Sequence, residues 1–356
     1  MASTPVKSVI IVGGGIVGLC IAVAAQGAGH KVTLIARDRS EDTASGIAAG
    51  MIAPALEAMN DSDPAMSFRR LTGAQAAWFD LFDVWTEGTK RLLTDARRRG
   101  ATLYRFDRPA SPAHLKSLEA TGAGLAWLDR DGIVAAGFDP EDCELVRVEG
   151  DWLVEAAALL PALRGGLATH SQITGQVTGI DATGVKLATG ETLRADEVIV
   201  AAGFDSHVLA PQVPSLARLA PIKGHLLDVG GSERYGVTRA EAGYYAGYGG
   251  HGKFGASMQA GRDDPGVDAD VVEELKVRAR VLDVNAGDAV PRVGIRAASP
   301  DGWPMIGRDL TSGVLVATAM RRNGYIFAPL AARMMLDFLA GREPPEVAIY
   351  DLNRFA

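Results

Sequence analysis

Three glycines at one spacing, Gly13-x-Gly15-x-x-Gly18, are the first residues whose pattern implies a chemistry. In VIIVGGGIVGLC (9–20) a β-branched run stops at the glycines and an apolar run resumes after them. Gly13 permits a tight turn from strand to helix, Gly15 lets the backbone approach a pyrophosphate, and Gly18 allows close packing of helix on strand. The helix N-terminus then offers free N–H groups and a positive dipole end to phosphate. A bare glycine triplet of this kind is a weak signal. Between a buried strand and a helix, beginning at residue 13, it makes dinucleotide binding the expectation.

The second strand of such a unit should end in an acid that holds the adenosine ribose. That position falls at Ala36, with Arg37 and Asp38 following. Asp38 is the displaced ribose candidate, while Arg37 also reads as a 2′-phosphate partner, which would favour NADP. The turn alone leaves FAD and NADP both open. Further along, Arg322-Asn323-Gly324 stand immediately before a helical stretch. Cys20 and Cys143 are far apart and build neither a disulfide framework nor a zinc spacing. The six histidines are scattered singly, so no metal site is expected.

The elements that must position these residues follow from periodicity. VKSVIIV and HKVTLIA are short continuous apolar runs, as strands buried on both faces would be. Between them IVGLCIAVAAQGAG has helical spacing and ends in Gly27 and Gly29, which suit a C-cap. Helical signals run through residues 68–100 and through DWLVEAAALLPALRGG. The segment 176–203 alternates strands and turns and closes on the buried strand EVIVAAG. Short, turn-punctuated segments from 221 to 296 predict an antiparallel sheet. GVLVATAM then reads as a strand and APLAARMMLDFLAG as a helix. Parallel-type strands at both ends with antiparallel material between imply an α/β, Rossmann-like, discontinuous nucleotide domain with an inserted antiparallel-sheet α+β domain. The expected division is 1–75, 150–215 and 297–356 for the first and 76–149 and 216–296 for the second.

Bulk properties agree. A chain of 356 residues suggests two domains. A formal net charge of −7 argues against a nucleic-acid partner. The basic run at Arg97-Arg98-Arg99 reads as the solvated end of a helix. The apolar stretch 8–28 carries too many glycines for a membrane span and lacks a cleavage signature, so a cytoplasmic protein without membrane attachment is expected.

Three later blocks decide the cofactor. TASGIAAGMIAP (43–54) is a small-residue loop whose amides can lie against a large flat ligand, ADEVIVAAGFDS (195–206) is a buried strand opening into Ala202-Gly203, and MRRNGYIFAP spans 320–329. With VIIVGGGIVG, PIKGHLL, YYAGYGGHGKFGAS and RVGIRAASPDGWPMIGR, in that order over nearly the whole chain, the sequence resembles the D-amino-acid oxidase family of FAD enzymes, and within it the glycine oxidases.

The resemblance implies FAD, and the absence of an attachment-site cysteine implies that it is held non-covalently. The implied cofactor contacts are Gly13, Gly15, Ile16, Val17, Gly18, Arg37, Asp38, Ala48, Ala49, Gly50, Met51, Val177, Ala202, Gly203, Arg296, Arg322, Asn323, Gly324 and Tyr325. It also implies that Arg296 binds a substrate carboxylate, that Tyr244 helps hold it, with Tyr245 as a rival, and that Arg322 lies close to flavin and substrate, with Arg321 beside it. Arginine suits the first role because its planar, permanently charged fork matches a carboxylate.

The implied reaction is hydride transfer from Cα of glycine or another small amino acid or secondary amine to flavin N5. Products would be an imine or oxo acid, ammonia and, with oxygen as acceptor, hydrogen peroxide. A homo-oligomer and a role in thiamine biosynthesis are also implied. The alternatives are a dehydrogenase passing electrons to a quinone or partner protein, a non-catalytic flavin-binding subunit, and an NADP-linked reductase motivated by Arg37. One departure from the family is Ala319-Met320 where glycine oxidases often carry Gly-His before Arg-Asn-Gly.

Overall fold

The computed structural model of the chain describes residues 5–37, 43–100, 102–108 and 112–355. One of its sheets has six strands in the order Met305–Arg308, Leu315–Thr318, Glu197–Val200, Ser8–Val12, Lys31–Ala36, Gln172–Thr174. All neighbours are parallel except the first pair. Alternation along the strands explains why they read as unbroken apolar runs. Val9, Ile11, Val32 and Leu34 face one core, shared with the helices Ile16–Gly27 and Gly324–Leu339. Ile10, Val12, Ile35, Val198 and Val200 face a second core, roofed by a small antiparallel sheet of Val177–Asp181, Gly184–Leu187 and Thr192–Arg194. A strand buried on both faces has no polar side to show.

A second sheet is built from residues between 102 and 148 and between 220 and 298. Its long central strand, Ala220–Gly230, pairs with Val290–Ala298 on one edge and with His251–Gly255 and Gln259–Ala260 on the other. Gly243–Tyr248 and Tyr235–Ala240 continue it antiparallel. One parallel pairing, Tyr235–Ala240 with Thr102–Asp107, joins on Cys143–Val148 and Leu125–Trp127. The helix Ala269–Ala279 covers one face through Val272 and Leu275, packed on Leu227, Tyr245 and Phe254. The expected α/β architecture with a mixed, largely antiparallel second sheet is therefore present.

The structure is finer-grained than the helical signals. Residues 68–100 form two helices, Pro64–Asp80 and Glu87–Arg99, separated by a 3-10 turn; the Thr86 hydroxyl caps the second by accepting from the Thr89 N–H at 3.1 Å. The second helix buries Leu93 and Ala96 in the same core as Ile16–Gly27, so residues 87–99 pack on the six-stranded sheet's side of the molecule. In DWLVEAAALLPALRGG the first residues pair as the strand Trp152–Leu153 with Met51–Ile52, and only Ala156–Arg164 is helical. There tertiary pairing overrides local propensity. The basic run ends its helix at the surface, where Arg98 pairs with Asp95 at 3.0 Å.

Candidate active site

The glycine turn is fixed by its neighbours. Gly13 has φ +121°, and a Cβ there would lie 2.3 Å from the Ala201 carbonyl oxygen. A Cβ on Gly18 would lie 1.9 Å from the Gly13 oxygen. Strand and helix approach more closely than any side chain permits. Gly15 caps the helix Ile16–Gly27 without a side-chain bond, which leaves the first-turn N–H groups without intrahelical partners. One is met: the Ile16 N–H donates to the Ser45 hydroxyl at 3.1 Å, and the Ser45 carbonyl accepts from the Tyr325 hydroxyl at 2.8 Å. Val17 is buried beside the turn. A Cβ on Gly324 would lie 3.6 Å from the Ile16 side chain, so the N-termini of Ile16–Gly27 and Gly324–Leu339 converge on the loop 43–51. Two helix N-termini at one place form a receptor for an anion and for carbonyl oxygens.

The remaining cofactor candidates near the sheet's carboxyl edge are less uniform. Arg37 follows the second strand and is ion-paired with Asp205, both at the surface. Asp38 lies outside the described residues. Val177 is buried at the start of the small sheet. Ala202 leads into Gly203, whose carbonyl accepts from the Thr318 hydroxyl at 3.0 Å. These positions flank the crevice at the carboxyl ends of parallel strands, where open α/β sheets bind ligands.

A cavity of about 350 Å³ lies between the loop 44–51 and the second sheet. Ala48, Ala49, Gly50, Met51, Tyr244, Arg296, Arg322, Asn323 and Tyr325 all line it. Of the two adjacent tyrosines, Tyr244 faces the cavity, while Tyr245 is buried on the opposite face among the residues under Ala269–Ala279. The twofold alternation of a strand separates them. Of the two adjacent arginines, Arg322 lines the cavity and Arg321 does not.

Arg296 extends across the sheet over Gly224, where a Cβ would lie 2.0 Å from Nη1. Its hydrogen bond among the described residues is from Nη1 to the Ser257 carbonyl at 3.4 Å, and no carboxylate bridges it there. Burial lowers its pKa, and the neighbouring Arg322 charge acts in the same direction. Burial pushes the Tyr244 hydroxyl up to about 12, against the pull of Arg296, so it is a neutral donor at ordinary pH.

Arg322 is committed elsewhere. Its Nε bonds the Glu57 carboxylate, and its Nη2 donates to the Glu57 carbonyl at 2.8 Å and to Asp61 Oδ1 at 3.2 Å. Burial opposes its charge, but Glu57 and Asp61 outweigh this and hold its pKa above the usual value. Glu57 is itself buried, on the short helix Pro54–Ala58. That helix is held from below by Asp151, which accepts from the N–H groups of Ala55 at 3.1 Å and Leu56 at 3.3 Å. Asn323 keeps a buried Oδ1 with no hydrogen-bond partner among the described residues.

Glu57, Asp151, Ser45 and Arg239 were not singled out by sequence reasoning. Glu57 had a signal: it is the one acid in the otherwise apolar run MIAPALEAM. Ser45 is a hydroxyl inside a loop expected to present only backbone. Arg239 and Asp151 carried none.

The residues present fit an FAD: a strand-to-helix turn with no room for side chains, converging helix N-termini, and an unpartnered buried amide oxygen in the adjoining cavity. Among the described residues no histidine, lysine, cysteine, serine or threonine lines that cavity. Cys20 and Cys143 are both buried away from it. No group of three or more His, Cys, Asp or Glu able to hold a metal occurs among the described residues, and no helix among them is long and apolar enough to cross a membrane. The cavity can bind and orient a carboxylate, and its described lining offers no thiol, aliphatic hydroxyl or amine as nucleophile.

Comparison with known proteins gives a concordant picture. The model of the DAO family, FAD dependent oxidoreductase, matches residues 8–338. The chain is 28% identical to a glycine oxidase of Pseudomonas putida, over 95% of this chain and 96% of the relative. It is 25% identical to a D-amino acid dehydrogenase of Cereibacter sphaeroides, over 98% and 95%. The crystal structure of glycine oxidase from Geobacillus kaustophilus shares the fold, with a TM-score of 0.77 at 22% identity and 98% of both chains covered.

Proposed function

The chain belongs to the DAO family of FAD-dependent oxidoreductases, and from that premise we propose that it is an oxidase of glycine or another small amino acid or secondary amine. The observation that carries this reading is Arg296, a cation buried over Gly224, bridged to no carboxylate among the described residues and flanked by the neutral hydroxyl donor Tyr244. An amino acid brings the missing carboxylate. Bound FAD supplies the acceptor for a hydride from the amine-bearing carbon, and oxygen, taking those two electrons, leaves as hydrogen peroxide while water hydrolyses the imine to an oxo acid and ammonia.

The chain's own part is to hold and orient. In this reading the glycine turn, Ile16, Val17 and Ser45 receive the pyrophosphate. The loop Ala48–Met51 and the segment Asn323–Tyr325 border the ring, and Arg296 with Tyr244 fixes the carboxylate. Arg37, Val177, Ala202 and Gly203 line the adenosine end, where Asp38 remains the ribose candidate. Arg322, neutralised by Glu57 and Asp61, acts as a structural tie near the ring. Such chemistry depends on positioning rather than on a protein base, which suits a cavity lined by no histidine or lysine among the described residues. The burial of both cysteines away from the cavity supports FAD held without a covalent bond to either. Two units, one around each large sheet, are the proposed domains, with residues 87–99 assigned to the first.

A dehydrogenase is the second reading, because relatives of that class match over as much of the chain as the oxidases do. Peroxide release by the purified flavoprotein with glycine in air distinguishes them. The oxidase reading expects peroxide in step with substrate loss; flavin that is bleached by glycine and stays bleached in air would overturn it.

A further inference from the structure

The cavity holds more positive charge than one substrate carboxylate answers. Four guanidinium groups line it, those of Arg239, Arg278, Arg296 and Arg322, against two carboxylates, Glu57 and Glu241. Arg322 takes the hydrogen bonds of Glu57 and of Asp61 beside the cavity, Arg278 pairs with Glu274 at 3.4 Å, and Glu241 lies 3.4 Å from His114. Arg321 stands 4.0 Å from Asp61, and Arg239 stands 3.6 Å from Glu57 Oε1, too long for a hydrogen bond. Among the described residues no other carboxylate forms an ion pair with Arg239; the buried carboxyl of Asp151 also feels its charge, but burial pushes that carboxyl up to about 8. Its side chain is only 21% exposed, so water screens it poorly.

The sheet register explains why this cation belongs to the cavity. Leu226 pairs with Gly255, Gly255 with Tyr244, and Tyr244 with Arg239, which forms a continuous row across four strands. Leu226, Gly255, Tyr244 and Arg239 all line the cavity. Arg239 therefore sits one strand beyond Tyr244, on the side away from Arg296. Holding an incompletely matched guanidinium in a half-buried site is costly, and a ligand that supplies the missing anion recovers that cost.

We propose that Arg239 receives a second carboxylate of the substrate, so that the preferred substrate is a dicarboxylic amine spanning Arg296 and Arg239. This rests on Arg296 as the first carboxylate site. The α-side carboxylate lies at Arg296 and Tyr244, and the distal one reaches past Tyr244 to Arg239.

Non-oxidisable probes test it on the holoenzyme: acetate, malonate and succinate, titrated at constant ionic strength, with binding read by calorimetry and by the shift of the flavin visible band. The better dicarboxylate is expected to bind about tenfold or more tightly than acetate, the value of one added charge-assisted hydrogen-bonded pair. Arg239→Met should bring that ratio to within about threefold, and Arg239→Lys, which keeps the charge, should retain most of it. Melting temperature and flavin content verify that each variant is folded. Equal affinities for mono- and dicarboxylates in the unmodified protein, or a ratio unchanged by Arg239→Met, would overturn the proposal. Failure of Arg296→Met to weaken acetate would instead overturn the underlying carboxylate site, and absence of flavin reduction by amines would overturn the oxidase reading alone.

Discussion

Arg322 is tied to Glu57 twice, through the carboxylate at Nε and through the main-chain oxygen at Nη2, 2.8 Å away, although the two residues are 265 positions apart. The pair joins the short helix Pro54–Ala58 to the approach of the helix Gly324–Leu339. Removing the acid leaves a mostly buried cation with Asp61, 3.2 Å away, as its one carboxylate among the described residues. Glu57→Ala is expected to lower stability by about 3 kcal/mol, the usual cost of breaking a buried pair on one side. A urea titration that shows an unchanged midpoint would contradict this.

Gly224 gives a more selective handle. A methyl group there would lie 2.0 Å from Arg296 Nη1, the far end of a flexible side chain, so Arg296 moves and the sheet stays. Gly224→Ala should raise KM for the amine by about tenfold or more, the loss of one well-formed charged hydrogen bond. Flavin content should be unchanged. Loss of flavin together with activity would show that the strand, rather than the guanidinium, had given way.

The contrast is Gly13→Ala. Here the new Cβ meets backbone, the Ala201 carbonyl at 2.3 Å, at φ +121°, and nothing nearby can rotate away. The purified variant is expected to lack the visible flavin spectrum or to be insoluble. A soluble yellow protein with normal flavin content would mean that the turn tolerates a side chain.

These two glycines mark what was and was not legible in the sequence. The Gly13 turn is local: a strand, a turn and a helix within about 20 residues leave a pattern that spacing alone reveals. The parallel strands were legible for the same reason, since burial on both faces writes an unbroken apolar run. Tyr244 and Tyr245 were separable only once the face of their strand was known, because alternation says that they differ and not which one faces the cavity. Glu57 with Arg322, and Arg239 opposite Tyr244, depend on chain segments brought together from afar, which no periodicity records. The short strand Trp152–Leu153 was read as helix because its pairing partner, Met51–Ile52, lies 100 residues earlier.

Asp151 supplies a pH signature. Burial raises its carboxyl from 3.8 to about 8, against the two backbone N–H groups that it accepts from. Between about pH 4 and pH 8 the folded chain therefore keeps a proton that the unfolded chain has released, so this group's contribution makes stability fall as pH rises through that window. Asp151→Asn keeps an acceptor for Ala55 and Leu56 and removes the titration. The loss of stability from pH 5 to pH 8, from urea midpoints, should be smaller in the variant than in the unmodified chain. An equal or larger loss would place the proton elsewhere.

Arg296 itself is tested by Arg296→Met, which keeps bulk and removes the fork. A fall of about 100-fold in kcat/KM is expected for losing a buried charge-assisted carboxylate contact, with flavin still bound. A change of less than threefold would move the carboxylate to another cation of the cavity.

The most direct test of the central claim is an anaerobic titration of the purified flavoprotein with glycine, sarcosine and D-alanine, followed in the visible and then opened to air. The account predicts bleaching of the flavin by at least one of the three, and return of the colour in air with one equivalent of hydrogen peroxide per flavin. No bleaching by any of them would contradict it.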